Sequence, residues 1–129
     1  MTQEEKQLLL KDLYARLPYK VKFGIGSCKL GIYDLIQINT NKGKVQYGCG
    51  LYVDLEQIKP YLRSMSGMTE EEDKEWQYYK NAIAESCDER LEERISELHD
   101  WFAAHHFDFR GLIKKGLALE APKDMYNIN

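Results

Sequence analysis

Residues 105–122 read HHFDFRGLIKKGLALEAP and place His105, His106, Asp108 and Arg110 within six positions. Imidazole and carboxylate groups at that density could ligate a metal ion or move a proton in a hydrolytic reaction. His99, seven residues before His106, could share a helix face with it. The spacing is poor for a metal, because there is no HExxH-type pair and no cysteine nearby. The same residues also spell out helix punctuation. With Asp108 as N-cap, Phe107 and Leu112 would form a hydrophobic staple. Lys114 and Lys115 would complement the dipole of the last turn, Gly116 would end the helix, and Leu117 would fold back on Leu112. This predicts a two-turn helix after Asp108. Arg110 opposes the dipole there, so its partner is expected to be Asp108 or an acidic helix.

Two further stretches carry chemical candidates. GIGSCKLG (24–31) has the glycines of a phosphate loop, but a strand-like segment comes after it where a dinucleotide site needs a helix, and Cys28 has no histidine nearby in sequence. A glycine-rich hairpin fits better. Lys20, Lys22, Lys29, Lys42 and Lys44 alternate with or flank Tyr19, Tyr33, Tyr47 and Tyr52. A small sheet bearing cations and aromatics can bind nucleic acid by phosphate contact and stacking, and Lys20, Lys22, Lys44 and Tyr47 are the candidates. Lysines on edge strands also block aggregation, so the pattern is not specific.

The elements that must position these residues are legible from periodicity. TQEE at residues 2–5 is a capping box opening a helix over about 3–16, with Leu9, Leu10, Leu13, Tyr14 and Leu17 on one stripe and Pro18 at its end. From Tyr19 to Val53 the period drops to two, predicting three antiparallel strands, or four, with Gly43 turning a hairpin. Asp34 falls in phase with Ile32, Ile36 and Ile38, which predicts a bulge or an edge there. DLEQIKPYLRSMSG (54–67) reads as a helical turn or irregular crossover interrupted by Pro60. Thr69 caps a helical pattern reaching about residue 105, and the Ser-x-x-Glu signal at 86–89 predicts a break into two antiparallel helices. The fold class expected is α+β: an N-terminal helix, a small three- to four-stranded antiparallel sheet, then two or three C-terminal helices packed on it.

Composition sets the outer limits. A chain of 129 residues, 43% hydrophobic and 30% charged, is the size of one domain spanning residues 1–129. The net charge of -3 hides an asymmetry: residues 1–68 hold 10 basic and 6 acidic side chains, residues 69–100 hold 4 and 12. Such a division marks either a binding face or two segments facing each other. Cys28, Cys49 and Cys87 form no CxxC motif and suit reduced thiols. The acidic, amphipathic start lacks a signal-peptide pattern, and no apolar run reaches the roughly 18 to 20 residues of a membrane span. A cytoplasmic protein without membrane association is expected.

KPYLRSMSGMTEEE (59–72) and DWFAAHHFDFRGLIKKGLALEAPKDMY (100–126) resemble a family of small uncharacterised proteins of gut Bacteroidetes and their phages or prophages. The resemblance implies an accessory protein of a mobile element and assigns no catalytic residue, metal or cofactor. The resulting expectation is a non-catalytic interaction protein with an unknown protein partner. The alternatives are a nucleic-acid-binding module using the Lys and Tyr face of the sheet, and a metal-dependent or hydrolytic enzyme using His105, His106 and Asp108.

Overall fold

The computed structural model describes residues 1–25, 28–47 and 51–126, and of residues 28–30 and 88 the backbone alone. Helix α1 (Gln3–Arg16) opens on the expected capping box: Thr2 Oγ1 accepts from the Glu5 amide at 3.1 Å, and Glu5 Oε1 from the Thr2 amide at 3.0 Å. Its buried stripe is Leu9, Asp12, Leu13 and Arg16, while Tyr14 is exposed. The stripe has the expected period: Leu10 and Leu17 pack against the core partly buried, Tyr14 does not, and two charged residues, Asp12 and Arg16, join the buried face.

Strands β1 (Lys22–Ile25), β2 (Cys28–Asn39), β3 (Lys44–Tyr47), β4 (Leu51–Asp54), β5 (Ile58–Leu62) and β6 (Leu119–Glu120) form a sheet in the order β4-β3-β2-β1-β5-β6. The described residues thus give six strands, not three or four, and a mixed sheet, because β6 pairs parallel to β5. The strands that periodicity missed are β5 and the two-residue β6. Pro60 suggested a crossover, yet Ile58, Pro60 and Leu62 all face the core and Pro60 pairs with Phe23. β6 pairs only with Tyr61 and Leu62, so beside Pro60 the outer side of β5 carries no strand and tolerates a residue without an N–H.

Gly43 makes the expected turn, at φ +63°. The phase problem at Asp34 is resolved by a bulge between Leu35 and Gln37. Ile32 and Asp34 before it and Ile36 within it are exposed; after it, Ile38 packs against the core. The glycine-rich stretch 24–31 is partly outside the described residues, as are Cys49 and the side chains of Cys28 and Lys29. Cys87 is an exposed free thiol.

Helices α2 (Glu70–Glu85) and α3 (Asp88–Ala104) come next, broken at the expected place. The capping detail differs: Cys87 is the N-cap of α3 without a side-chain bond, and Ser86 Oγ instead donates back to the Ala82 carbonyl. Pairing of Trp76 with Phe102 and of Glu75 with Trp101 shows the helices run antiparallel.

Two apolar clusters result. Leu9 and Leu13 of α1 pack with Phe23, Leu35, Val45, Ile58 and Leu62 on one face of the sheet. Trp101, Phe102 and Phe107, backed by Trp76, Tyr79, Leu98 and Phe109, form the second between α2 and α3.

A buried polar cluster at residues 105–110

His106 takes φ +63°, a conformation uncommon outside glycine, and it ends α3. The His106 amide donates to Ala103 and the Phe107 amide to Phe102, the two bonds of a Schellman ending. The chain then runs beside β5: the Arg63 amide donates to the His106 carbonyl at 2.7 Å, and the Asp108 amide to the Arg63 carbonyl at 2.8 Å.

Asp108 is not the N-cap expected from sequence, since no helix follows it; its carboxylate accepts instead from the amides of Leu112 at 2.8 Å and Ile113 at 2.9 Å. The expected two-turn helix is absent, because Gly111 at φ +73° breaks it, and residues 112–116 form turns instead. The expected ending survives. Gly116, at φ +78°, donates to Ile113, Leu117 donates to Leu112, and both leucines join the main core.

Arg110 pairs with neither of the partners expected from sequence, Asp108 or an acidic helix. Its Nη1 donates to Asp12 Oδ1 at 2.8 Å, while Arg16 Nε donates to Asp12 Oδ2 at 2.7 Å. A second Arg16 nitrogen donates to the Phe107 carbonyl. Asp12 and Arg16 are fully buried, so one carboxylate shared by two guanidiniums ties α1 to the segment after α3.

The other charged residue that orders this region is Arg63. Its guanidinium binds Glu72 in a bidentate fork at 2.8 and 2.7 Å, reaches the His105 carbonyl at 3.1 Å, and lies 4.2 Å over the Phe107 ring. Glu72 is also the N3 residue of the α2 capping box with Thr69. Burial pushes the Glu72 carboxyl up, but the Arg63 and Thr69 hydrogen bonds outweigh it and hold the group at about 2.

The histidines are accounted for in turn. His105 is half-buried, with Nδ1 at 3.1 Å from Glu72 Oε2 and its ring 4.7 Å from that of Trp101. His106 does not share a face with His99, since it lies beyond the end of α3. It stacks on Tyr126 at 3.7 Å and 11°, and Tyr126 in turn donates to the Tyr61 carbonyl at 2.6 Å and accepts from the Lys22 amide at 2.9 Å. Burial, with Arg16 and Arg63 nearby, lowers His106 to about 4, and burial pushes the Tyr126 phenol up to about 12. The His99 ring lies tilted against Phe109, 4.9 Å between centroids, and burial lowers its pKa as well.

His105, His106, Asp108 and Arg110 are therefore close in sequence but each turns to a different partner, and they do not line a common cleft. Among the described residues no three His, Cys, Asp or Glu side chains could hold a metal ion. A nearby cleft of about 170 Å³ is lined by Arg63, Ser64, Ser66, Glu120, Lys123 and Tyr126. Its Arg63 is bound to Glu72 and its two serine hydroxyls to each other.

Lys20, Lys22, Lys44 and Tyr47 do not form one face. Tyr47 is half-buried on the core side, 4.6 Å from the Tyr33 ring and 6.0 Å from Phe23. Lys22 and Lys44 point the other way and are paired with Asp34 at 2.8 Å and Asp54 at 3.7 Å. Lys20 lies before β1 at φ +55°.

Sequence reasoning missed Asp12, Arg16, Arg63, Glu72 and Tyr126. A signal existed for the first two, which continue the 3.6-residue period of Leu9 and Leu13. Glu72 stands three residues after Thr69, the spacing of a capping box, whereas Arg63 and Tyr126 carry no such signal, because their partners lie on other elements. No family model matches this chain, and no curated protein or solved structure matches it either.

Proposed function

We propose that this chain is a non-catalytic interaction protein of the cytoplasm, an accessory protein of a phage or prophage region, whose partner is another protein. One observation carries the reading: the side chains that suggested catalysis are each turned to a different neighbour within the chain. His105 contacts Glu72, Asp108 accepts from backbone amides, Arg110 binds Asp12, and His106 is stacked under Tyr126. A reactive site needs groups free to meet a substrate, and these hold the fold. Exposed apolar side chains on the sheet and the carboxylate-rich surface of α2 and α3 offer contact area of two kinds. No described helix is long and apolar enough to cross a membrane.

The test is capture of the tagged chain from phage-infected or prophage-induced host cells. The reading expects one protein recovered in stoichiometric amount, still recovered with His105→Ala at a temperature where that variant is folded. Recovery of no protein, or turnover of a substrate that His105→Ala abolishes in the folded state, overturns it.

A further inference from the structure

Residues 119–126 lie as a strap along the outer side of β5, and Tyr126 is the only one of them that is buried. Leu117 and Ala118 anchor its start in the main core. Between these anchors it is held by the pairing of β6 with Tyr61 and Leu62 and by the Ala121 amide, which donates to the Leu62 carbonyl at 2.8 Å. The cleft of about 170 Å³ separates Glu120 and Lys123 from Arg63, Ser64 and Ser66, so the strap is incompletely packed there. Tyr126 fixes its far end. Because Phe23 pairs with Pro60 and Gly24 with Lys59, Lys22 and Tyr61 are the next pair of that ladder. The Tyr126 hydroxyl stands between them, accepting from the Lys22 amide at 2.9 Å and donating to the Tyr61 carbonyl at 2.6 Å.

The Tyr126 ring lies on His106, at 3.7 Å and 11°. Facing His106 are Arg16 from α1, Arg63 from β5 and Lys22 from β1, with His105 beside it in the chain. The carboxylates that those three cations bind are Asp12, Glu72 and Asp34, and the strap's own Glu120, Lys123 and Asp124 are exposed. His106 Nδ1 is buried and has no hydrogen-bond partner among the described residues. A neutral ring leaves a lone pair there, whereas a protonated ring places an N–H without an acceptor and a positive charge among cations. Burial and Arg16 accordingly hold His106 at about 4. We infer that residues 119–126 open as a unit when His106 is protonated, lifting Tyr126 away and baring the Tyr61–Leu62 edge of β5 while the rest of the fold stays closed. Once open, His106 meets water and regains its ordinary proton affinity, so falling pH favours the open form, a minor population of the native state. Opening gives up one buried aromatic side chain, the two bonds of its hydroxyl and a two-residue ladder.

Hydrogen exchange of the full chain, read amide by amide by NMR and corrected for the intrinsic pH dependence of exchange, tests it. The Ala121 and Lys22 amides report the strap, and the Leu35 amide, which donates to the Val21 carbonyl at 2.9 Å, reports the sheet. Protection of Ala121 and Lys22 is expected to fall together, roughly five- to tenfold from pH 6 to pH 5. Low urea leaves both unchanged, because a local opening exposes little surface, while Leu35 stays at least about a hundredfold better protected and responds to urea. His106→Asn abolishes the pH dependence at Ala121 and Lys22. Tyr126→Phe lowers Ala121 protection about tenfold at pH 7, although the two residues are five apart, because the strap opens as one piece. Ala121 and Lys22 protection that equals that of Leu35 and falls with urea, protection unchanged from pH 6 to pH 5, or a pH dependence that persists in His106→Asn overturns the inference.

Discussion

Arg63 and Glu72 form a buried two-point ion pair across nine residues of chain, at 2.7 and 2.8 Å, with side chains only 9% and 5% exposed. The pair joins the end of β5 to the first turn of α2, and the same guanidinium reaches the last turn of α3 through the His105 carbonyl. Removing one partner strands the other in a dry site. Glu72→Gln is expected to lower unfolding free energy by about 3 to 5 kcal/mol in urea denaturation. Asp34→Asn, at an exposed pair of similar distance, is expected to cost under about 1 kcal/mol.

Acid should unfold the protein in two windows. His106 has a folded value near 4, below its ordinary 6.5, so the unfolded chain takes up the proton first. Its contribution is fully present above pH 6.5 and is lost as pH falls toward 4, on the order of 2 to 3 kcal/mol. Glu72, held near 2 against 4.5, adds a second loss from pH 4.5 downward. In urea melts across pH, His106→Asn, chosen because asparagine tolerates positive φ, should flatten the dependence between 6.5 and 4 and leave the lower window. An unchanged slope in that variant would contradict the assignment.

Gly111 and Gly116 both sit at positive φ with open space around them, so an added methyl meets no atom but strains the backbone. Gly111→Ala and Gly116→Ala are each expected to destabilise by about 1 kcal/mol, measured by thermal or urea unfolding.

The Tyr126 hydroxyl lies between β1 and β5, accepting from Lys22 and donating to Tyr61. Tyr126→Phe keeps the stack on His106 and leaves the Lys22 amide and Tyr61 carbonyl without that partner. A loss of about 1 to 3 kcal/mol is expected, with faster hydrogen exchange at the Lys22 amide.

Local features were readable in the chain. The Thr2 capping box, the Thr69 cap, the Gly43 turn, the break near Ser86 and the Leu112–Leu117 closure arise from contacts within a few residues. The features that were not readable need partners far apart. Pro60 looked like an interruption because its tolerance depends on how short β6 is. Asp12 and Arg16 share the period of Leu9 and Leu13, but what allows their burial is Arg110, 98 residues from Asp12. His106 gave no hint of a positive φ, which usually announces itself as glycine. The candidate site suffered most, since four adjacent polar residues suggested a cluster facing one point when the backbone turns each a different way.

Whether the 105–110 segment is structural can be read most directly from stability. Catalytic residues are commonly held at a cost to the fold, so replacing one leaves stability unchanged or raises it. Residues committed to internal bonds behave in the opposite way. Urea unfolding of Asp108→Ala and Arg110→Met is the decisive measurement. A loss of about 1 to 2 kcal/mol is expected for Asp108 and a larger one for Arg110, which leaves the buried Asp12 with Arg16 alone. Wild-type or increased stability in either variant would contradict the account.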